Sequence, residues 1–336
     1  MLAPGLLVWG EFVTVPEDAS EVEAVGQQWH WSFRVPGVDN KLGTTDVRFI
    51  NADNPFGMNP DDPDGQDDVL IAGNELHLPI GKPVKLLLRS KDVLHNFTVA
   101  QFRVKMDLVP GMVSYLWFTP TEVGEFDILC EEYCGVAHFA MRGRVIVEEE
   151  ADYQAWLNSY STYAEMSSQP AGNAAAGETA YAVCSVCHGT QGEGNVALNS
   201  PKLNGQEAWY MKRQLEYFKS GARGSHEDDV YGKQMAPMAT TLVTDTAIND
   251  VIAYIETLPD IPAPATVTGD VLHGQEVFAN CVACHGADGQ GLQALNAPRV
   301  AGMTDWYLVR QLQNFKQGIR GAHRKDMYGH QMTMMA

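Results

Sequence analysis

At 336 residues the chain has room for two or three domains, and with 45% apolar residues each can build a core. Its 42 acidic residues outnumber 23 basic ones, for a net charge of −19, which argues against nucleic acid and anionic lipid surfaces and favours a cationic partner. The same acidity also serves solubility alone, and part of it is local, in Asp61 to Asp68, which reads as a solvated loop.

Met1 to Trp9 is apolar but falls short of the roughly twenty residues that a spanning helix needs, and it lacks the basic start and cleavage site of a signal peptide. From residue 21 to 150 short β-like runs alternate with Gly, Pro and Asp. Pro83 to Arg89 and Gly143 to Val147 are the clearest strands. A Greek-key β-sandwich follows from this pattern, with strands near Glu125 to Leu129 and Arg142 to Val147 flanking a loop.

That loop, Cys130 to Met141, reads Cys-Glu-Glu-Tyr-Cys-Gly-Val-Ala-His-Phe-Ala-Met. Two thiolates (Cys130, Cys134), an imidazole (His138) and a thioether (Met141) favour copper over harder divalent ions. A second imidazole must come from elsewhere, and His95, at the end of an apolar run, is the candidate. Zinc has little use for Met141, and a mononuclear blue-copper centre needs one Cys. A Cys130–Cys134 disulfide stays open in an oxidising compartment. Two cysteines bridging two copper ions account for every donor in the loop.

Together, Asp92 to His95, Lys105 to Gly111 and Cys130 to Met141 resemble the binuclear copper (CuA) domain of cytochrome c oxidase subunit II, in order and spacing. The resemblance implies a cupredoxin-like fold and places the copper ligands on His95, His138, Cys130, Cys134, Met141 and the Glu132 carbonyl. The Glu132 side chain would reach a magnesium shared with the catalytic subunit. Gln28-Trp29-His30-Trp31 is similar to the family's aromatic run, which makes Trp29 the place where electrons enter, although His30 stands where an aromatic is usual and Trp29 also reads as an ordinary packed strand residue. The resemblance also makes Leu2 to Trp9 the tail of a membrane helix, so that the chain is expected to begin late.

Asp152 to Tyr163 reads as one short helix and Ser167 to Asn173 as a polar linker. Beyond it the periodicity turns helical, and Cys184-Ser-Val-Cys187-His188 and Cys281-Val-Ala-Cys284-His285 are two C-x-x-C-H segments, the attachment pattern of c-type haem with the His axial to iron. All six cysteines of the chain thus fall in three close pairs. The 97 residues from Cys184 to Cys281 also map Pro201 to Pro298, Tyr210 to Tyr307, Gln214 to Gln311, Arg223 to Arg320 and His226 to His323 without a gap. Two copies of one helical domain are therefore expected, joined by Leu258 to Pro264 as a stiff tether.

Each copy offers Gln-Met-x-x-Met for the sixth iron position. The segment resembles the ligand loop of the two-haem periplasmic class I cytochromes c, which puts the ligands on Met235 and Met332. Met238 and Met335 are alternatives, as is bis-histidine iron through His226 and His323. Helices are expected over Gln206 to Lys219 and Asp245 to Leu258. Gly177 and Tyr181 would pack on Tyr254 of the last helix, an element the second copy lacks, so the C-terminus too looks truncated.

The expected organisation is a lead-in over 1–20, a CuA domain over 21–150, a short helix and linker over 151–173, and cytochrome c domains over 174–260 and 261–336. The resemblance implies an electron-accepting subunit of a haem-copper terminal oxidase in a bacterial inner membrane complex, with these domains on the periplasmic side. Its partners would be catalytic subunit I, a cytochrome c donor and, through preceding helices, the membrane. A copper subunit of a nitric oxide reductase and a free-standing electron carrier are the other readings.

Overall fold

The computed structural model describes residues 2–51, 54–169 and 171–336. The chain divides into two compact units between Ser168 and Gln169. Met1 and Pro170, the latter in the expected linker, lie outside the described residues.

The first unit opens with helix α1 (Leu2–Val13), whose Leu6, Leu7, Val8, Trp9 and Phe12 are exposed. Among the described residues no helix is long and apolar enough to cross a membrane. Ten strands follow: β1 (Ser20–Gln27), β2 (His30–Val35), β3 (Val69–Ile71), β4 (Glu75–Pro79), β5 (Val84–Ser90), β6 (His95–Val99), β7 (Val104–Leu108), β8 (Val113–Phe118), β9 (Gly124–Leu129) and β10 (Arg142–Glu148). They form two five-stranded sheets, ordered β3-β2-β1-β5-β8 and β4-β10-β9-β6-β7. Alternation buries Val84, Leu86 and Leu88 along β5, and the sandwich closes over Trp31, Phe33 and Phe97. In the second sheet Thr98 of β6 pairs antiparallel with Leu129 of β9. Running that register on brings His95 level with Glu132, so strand pairing carries the upstream histidine to the cysteine loop.

The expected helix over Asp152 to Tyr163 is instead two helices, α2 (Glu150–Leu157) and α3 (Tyr163–Ser167). Thr162 starts α3 with a capping box to Glu165, and Ser159 hydroxyl returns to the Trp156 carbonyl, so the hydroxyl-rich stretch breaks the helix. Tyr163 packs in the core with Val25, Phe56, Met58 and Leu70, and its amide donates to the Asp68 carbonyl.

In the second unit the first copy comprises α4 (Ala174–His188), α5 (Ala208–Ser220), α6 (Val230–Thr240) and α7 (Asp245–Glu256). The tight crossing of α4 on α7 has a local cause: a Cβ on Gly177 would collide with the Asp250 carbonyl. Tyr181 then packs tilted against Tyr254, ring centroids 5.3 Å apart, as its spacing predicts, in the cluster with Ile248, Val251, Ile252 and Ile255. The second copy comprises α8 (Val271–Phe278), α9 (Val282–His285), α10 (Asp305–Lys316) and α11 (Met327–Met335). Where α4 is continuous, the equivalent stretch breaks at Asn280, and Val271, Leu272 and Val277 are exposed.

The two copies meet through contacts that repeat with the same 97-residue offset. Arg213 donates to Asn296 Oδ1 at 2.9 Å and Arg310 donates to Asn199 Oδ1 at 2.5 Å. Each of these guanidiniums lies 4.3 Å from a ring centroid of the other copy, Arg213 on Tyr328 and Arg310 on Tyr231. The connecting segment, expected to be a tether, is a clamp. Asp260 accepts from Lys202 of the first copy at 2.8 Å and from Arg299 of the second at 2.5 Å. Those two cations hold equivalent positions in the repeat, so one carboxylate serves both.

Candidate metal centre and haem sites

Strands β9 and β10 hold the ends of the Cys130 to Met141 loop together, closed by Cys130 N–H to the Met141 carbonyl at 3.3 Å. Within it Cys130 Sγ lies 3.8 Å from Cys134 Sγ and 3.2 Å from the Glu132 carbonyl. Cys134 Sγ lies 3.4 Å from His138 Nδ1 and 3.8 Å from Met141 Sδ, and Cys130 Sγ lies 4.0 Å from His95 Nδ1. All the donors expected from the sequence are thus in one place. The thiols are free, so the disulfide alternative is not the state seen here. A separation of 3.8 Å lets both sulfurs touch one ion at an ordinary metal–thiolate bond of about 2.3 Å. Two soft sulfurs, a thioether, two imidazoles and a carbonyl fit a copper pair.

Sequence reasoning missed how the donors are aimed. Asp92 Oδ1 accepts from His95 Nε2 at 2.8 Å, which leaves Nδ1 facing the thiols. Asp92 in turn accepts from the Gln28 amide at 2.7 Å and from the Val93 amide at 2.7 Å. Burial alone would raise its carboxyl, but these donors outweigh burial and hold it below the ordinary value. Burial likewise works against a charged His95, yet the bonds to Asp92 and Cys130 leave the ring above the usual imidazole value. The contact with Cys134 drives Cys130 down to about 3, helped by His95, while the same contact and burial drive Cys134 up. The two thiols are thus pushed in opposite directions.

Gln28 Nε2 and Trp29 Nε1 both donate to the Cys134 carbonyl, at 2.8 and 3.0 Å. Trp29 is buried against the loop. Gly135 is required there twice over: its φ is +123°, and a Cβ would stand 2.9 Å from both Gln28 and Trp29 side chains. The Glu132 side chain is half-buried beside the loop.

In the first cytochrome-like copy, Cys184, Cys187 and His188 at the end of α4 line a cavity of about 310 Å³ together with Met235 and Met238 of α6. His188 Nδ1 donates to the Pro201 carbonyl at 2.8 Å, and His285 Nδ1 to the Pro298 carbonyl at 2.7 Å. A carbonyl can only accept, so Nε2 is the free ligand atom in both. Burial pushes both imidazoles below the usual value, which keeps them neutral, as iron ligation needs. The equal His-to-Pro spacing in the two copies was the available signal.

The Gln-Met-x-x-Met segments, expected as loops, lie in helices α6 and α11. Met235 is half-buried and Met238 exposed; Met332 and Met335 are both half-buried. His226 and His323 line a separate cavity of about 210 Å³, away from His188. Bis-histidine ligation of the first iron is therefore not what this geometry supports.

Residues 20–149 match the family model "Cytochrome C oxidase subunit II, periplasmic domain". Residues 174–259 and 271–336 match the model "Cytochrome c". The chain is 63% identical over 171 residues to an alternative cytochrome c oxidase subunit 2 from Bradyrhizobium diazoefficiens, a match covering 51% of this chain and 62% of that one. It is 32% identical over 158 residues to a thiosulfate dehydrogenase electron acceptor from Stutzerimonas stutzeri, covering 44% of this chain and 69% of the relative. A crystal structure of cytochrome c4 from Pseudomonas stutzeri aligns at 27% identity and TM-score 0.40, over 49% of this chain and 90% of that one. Domain by domain, the chain belongs to the cytochrome c oxidase subunit II family over its β-sandwich and to the cytochrome c family over both helical copies.

Proposed function

We propose that this chain is the electron-accepting subunit of a haem-copper terminal oxidase, taking electrons from a cytochrome c donor and passing them to a catalytic subunit that reduces oxygen. The observation that carries this reading is the convergence of Cys130, Cys134, His95, His138, Met141 and the Glu132 carbonyl, in the same chain as two C-x-x-C-H sites. When bound, the copper pair and the two haems supply one-electron carriers, and Met axial ligands favour potentials high enough to accept from cytochrome c pools.

The protein's own residues do the positioning. Asp92 fixes His95, Pro201 and Pro298 fix the haem-side histidines, and Gln28 and Trp29 anchor the loop through the Cys134 carbonyl. Met235 and Met332 supply the sixth iron positions in this reading. Trp29, in contact with the loop, is its electron-input residue. The Glu132 side chain, next to a carbonyl that already serves the centre, holds a magnesium at the subunit contact. The match to a periplasmic domain supports a periplasmic face, and α1 with its exposed apolar side chains supports association with a membrane.

The test is oxygen uptake by the complex purified with this subunit and supplied with reduced cytochrome c. Uptake that is lost in Cys130→Ser while both haems stay attached is expected. Consumption of nitric oxide in place of oxygen, or uptake unchanged in Cys130→Ser, contradicts the proposal.

A further inference from the structure

Four arginines gather where the two helical copies meet, and none is engaged in a direct ion pair. Arg223 Nη1 donates to Gln214 at 2.7 Å, and its Nη2 to Tyr307 hydroxyl at 2.6 Å and Gln311 at 3.1 Å. Arg320 mirrors it, donating to Gln311 at 2.9 Å, Tyr210 hydroxyl at 3.0 Å and Gln214 at 2.9 Å. Arg213 and Arg310 hold neutral asparagines and aromatic faces. Among the described residues no carboxylate forms an ion pair with any of the four. Two buried carboxylates lie nearby: Asp229, which also lines the cavity, and Asp326, which acts electrostatically on Arg320; each caps its helix, α6 or α11, through Oδ1, leaving two carboxylates near four guanidiniums. Nε of Arg213, Arg223 and Arg320 and Nη1 of Arg310 are buried with no partner. Burying guanidinium charge without an anion is costly, so such a cluster marks a place for anions.

The cavity around Cys184, Cys187 and His188 shows which anions. It is lined by Arg223 of its own copy and by Tyr307, Arg310 and Gln311 of the other. Each haem brings two carboxylates, four in all, against four arginines. We propose that this cluster seats the carboxylates of both haems and that the seating is crossed. Arg310 of the second copy binds a carboxylate of the haem attached at Cys184 and Cys187. By the same offset, Arg213 of the first copy binds a carboxylate of the haem attached at Cys281 and Cys284. The inference rests on reading the two C-x-x-C-H segments as haem attachment sites.

The experiment uses the full chain produced with haem attachment. Mass and haem absorbance first establish whether two haems are bound, which tests the underlying reading separately. Arg310→Gln is then titrated electrochemically, with the haem methyl resonances separating the two irons. Loss of the guanidinium charge favours the ferric form and weakens carboxylate ionisation. The first-copy haem is therefore expected to fall by about tenfold in its reduction equilibrium, ~59 mV for one electron, and its potential to change with pH at higher pH. The second-copy haem should move less, and Arg310→Lys should restore most of the potential. If Arg310→Gln fails to load haem, Arg213→Gln is the mirror test, read on the second-copy haem. Two attached haems with the other copy's potential and pH profile unchanged would overturn the crossed seating.

Discussion

Asp92 decides which nitrogen of His95 meets the thiols, and this makes it testable apart from the ligands. Asp92→Asn keeps the size but loses the carboxylate at 2.8 Å, and copper affinity is expected to fall about 10–100-fold, read by competition with a chelator. Proton linkage sets a second expectation. Any proton on the raised Cys134 thiol or the raised His95 must leave for metal to bind, so copper affinity rises with pH. The steepest change should lie at and above the ordinary imidazole value of about 6.5; affinity flat across that range would refute the linkage. Trp29→Gln tests electron input, with a slower arrival of electrons at copper expected by rapid-mixing absorbance. The ligands were legible because thiolate, imidazole and thioether have few other reasons to share one loop. Asp92, Gln28 and the prolyl carbonyls were not, because their roles come from strand pairing and backbone direction.

At the scale of elements, α7 decides the difference between the two helical copies. It buries Ile248, Val251, Ile252 and Ile255, and each such side chain contributes about 1.5–3 kcal/mol. In the second copy, α8 carries Val271 and Leu272 at 82% and 76% exposed, so these side chains gain no such burial. The haem–Met bond of the second copy should therefore break at lower denaturant than the first, followed by their charge-transfer absorbance; coincident midpoints would contradict this. The repeat itself was readable as identical residues at one offset. The break between α8 and α9 over Ala279 to Cys281, and that of the expected helix at Asn158 to Thr162, was not, because helical periodicity continues across positions where caps and missing partners stop it. Sheet order was equally hidden: β1 pairs in parallel with β5, a long-range choice that no local pattern announces.

At the scale of the molecule, the segment read as a tether joins the two copies through Asp260. Lys202 has a side chain only 1% exposed, and its ammonium otherwise donates only to the Gly302 carbonyl at 3.3 Å, so Asp260→Asn leaves its buried charge without a counter-ion and is expected to lower the stability of the helical unit by about 1–3 kcal/mol, measured by chemical unfolding. The burial of Lys202 was invisible in the sequence, because it comes from Asp260 and Gly302, 58 and 100 residues further along the chain. The net charge of −19 adds that a cationic donor should react more slowly as salt rises. The most direct test of the whole reading is the electron paramagnetic resonance spectrum of the copper-loaded protein after subtraction of the haem signals. Hyperfine splitting from two equivalent copper nuclei is the expected result. Splitting from a single nucleus, or no copper signal with Cys130 and Cys134 joined as a disulfide, would contradict it.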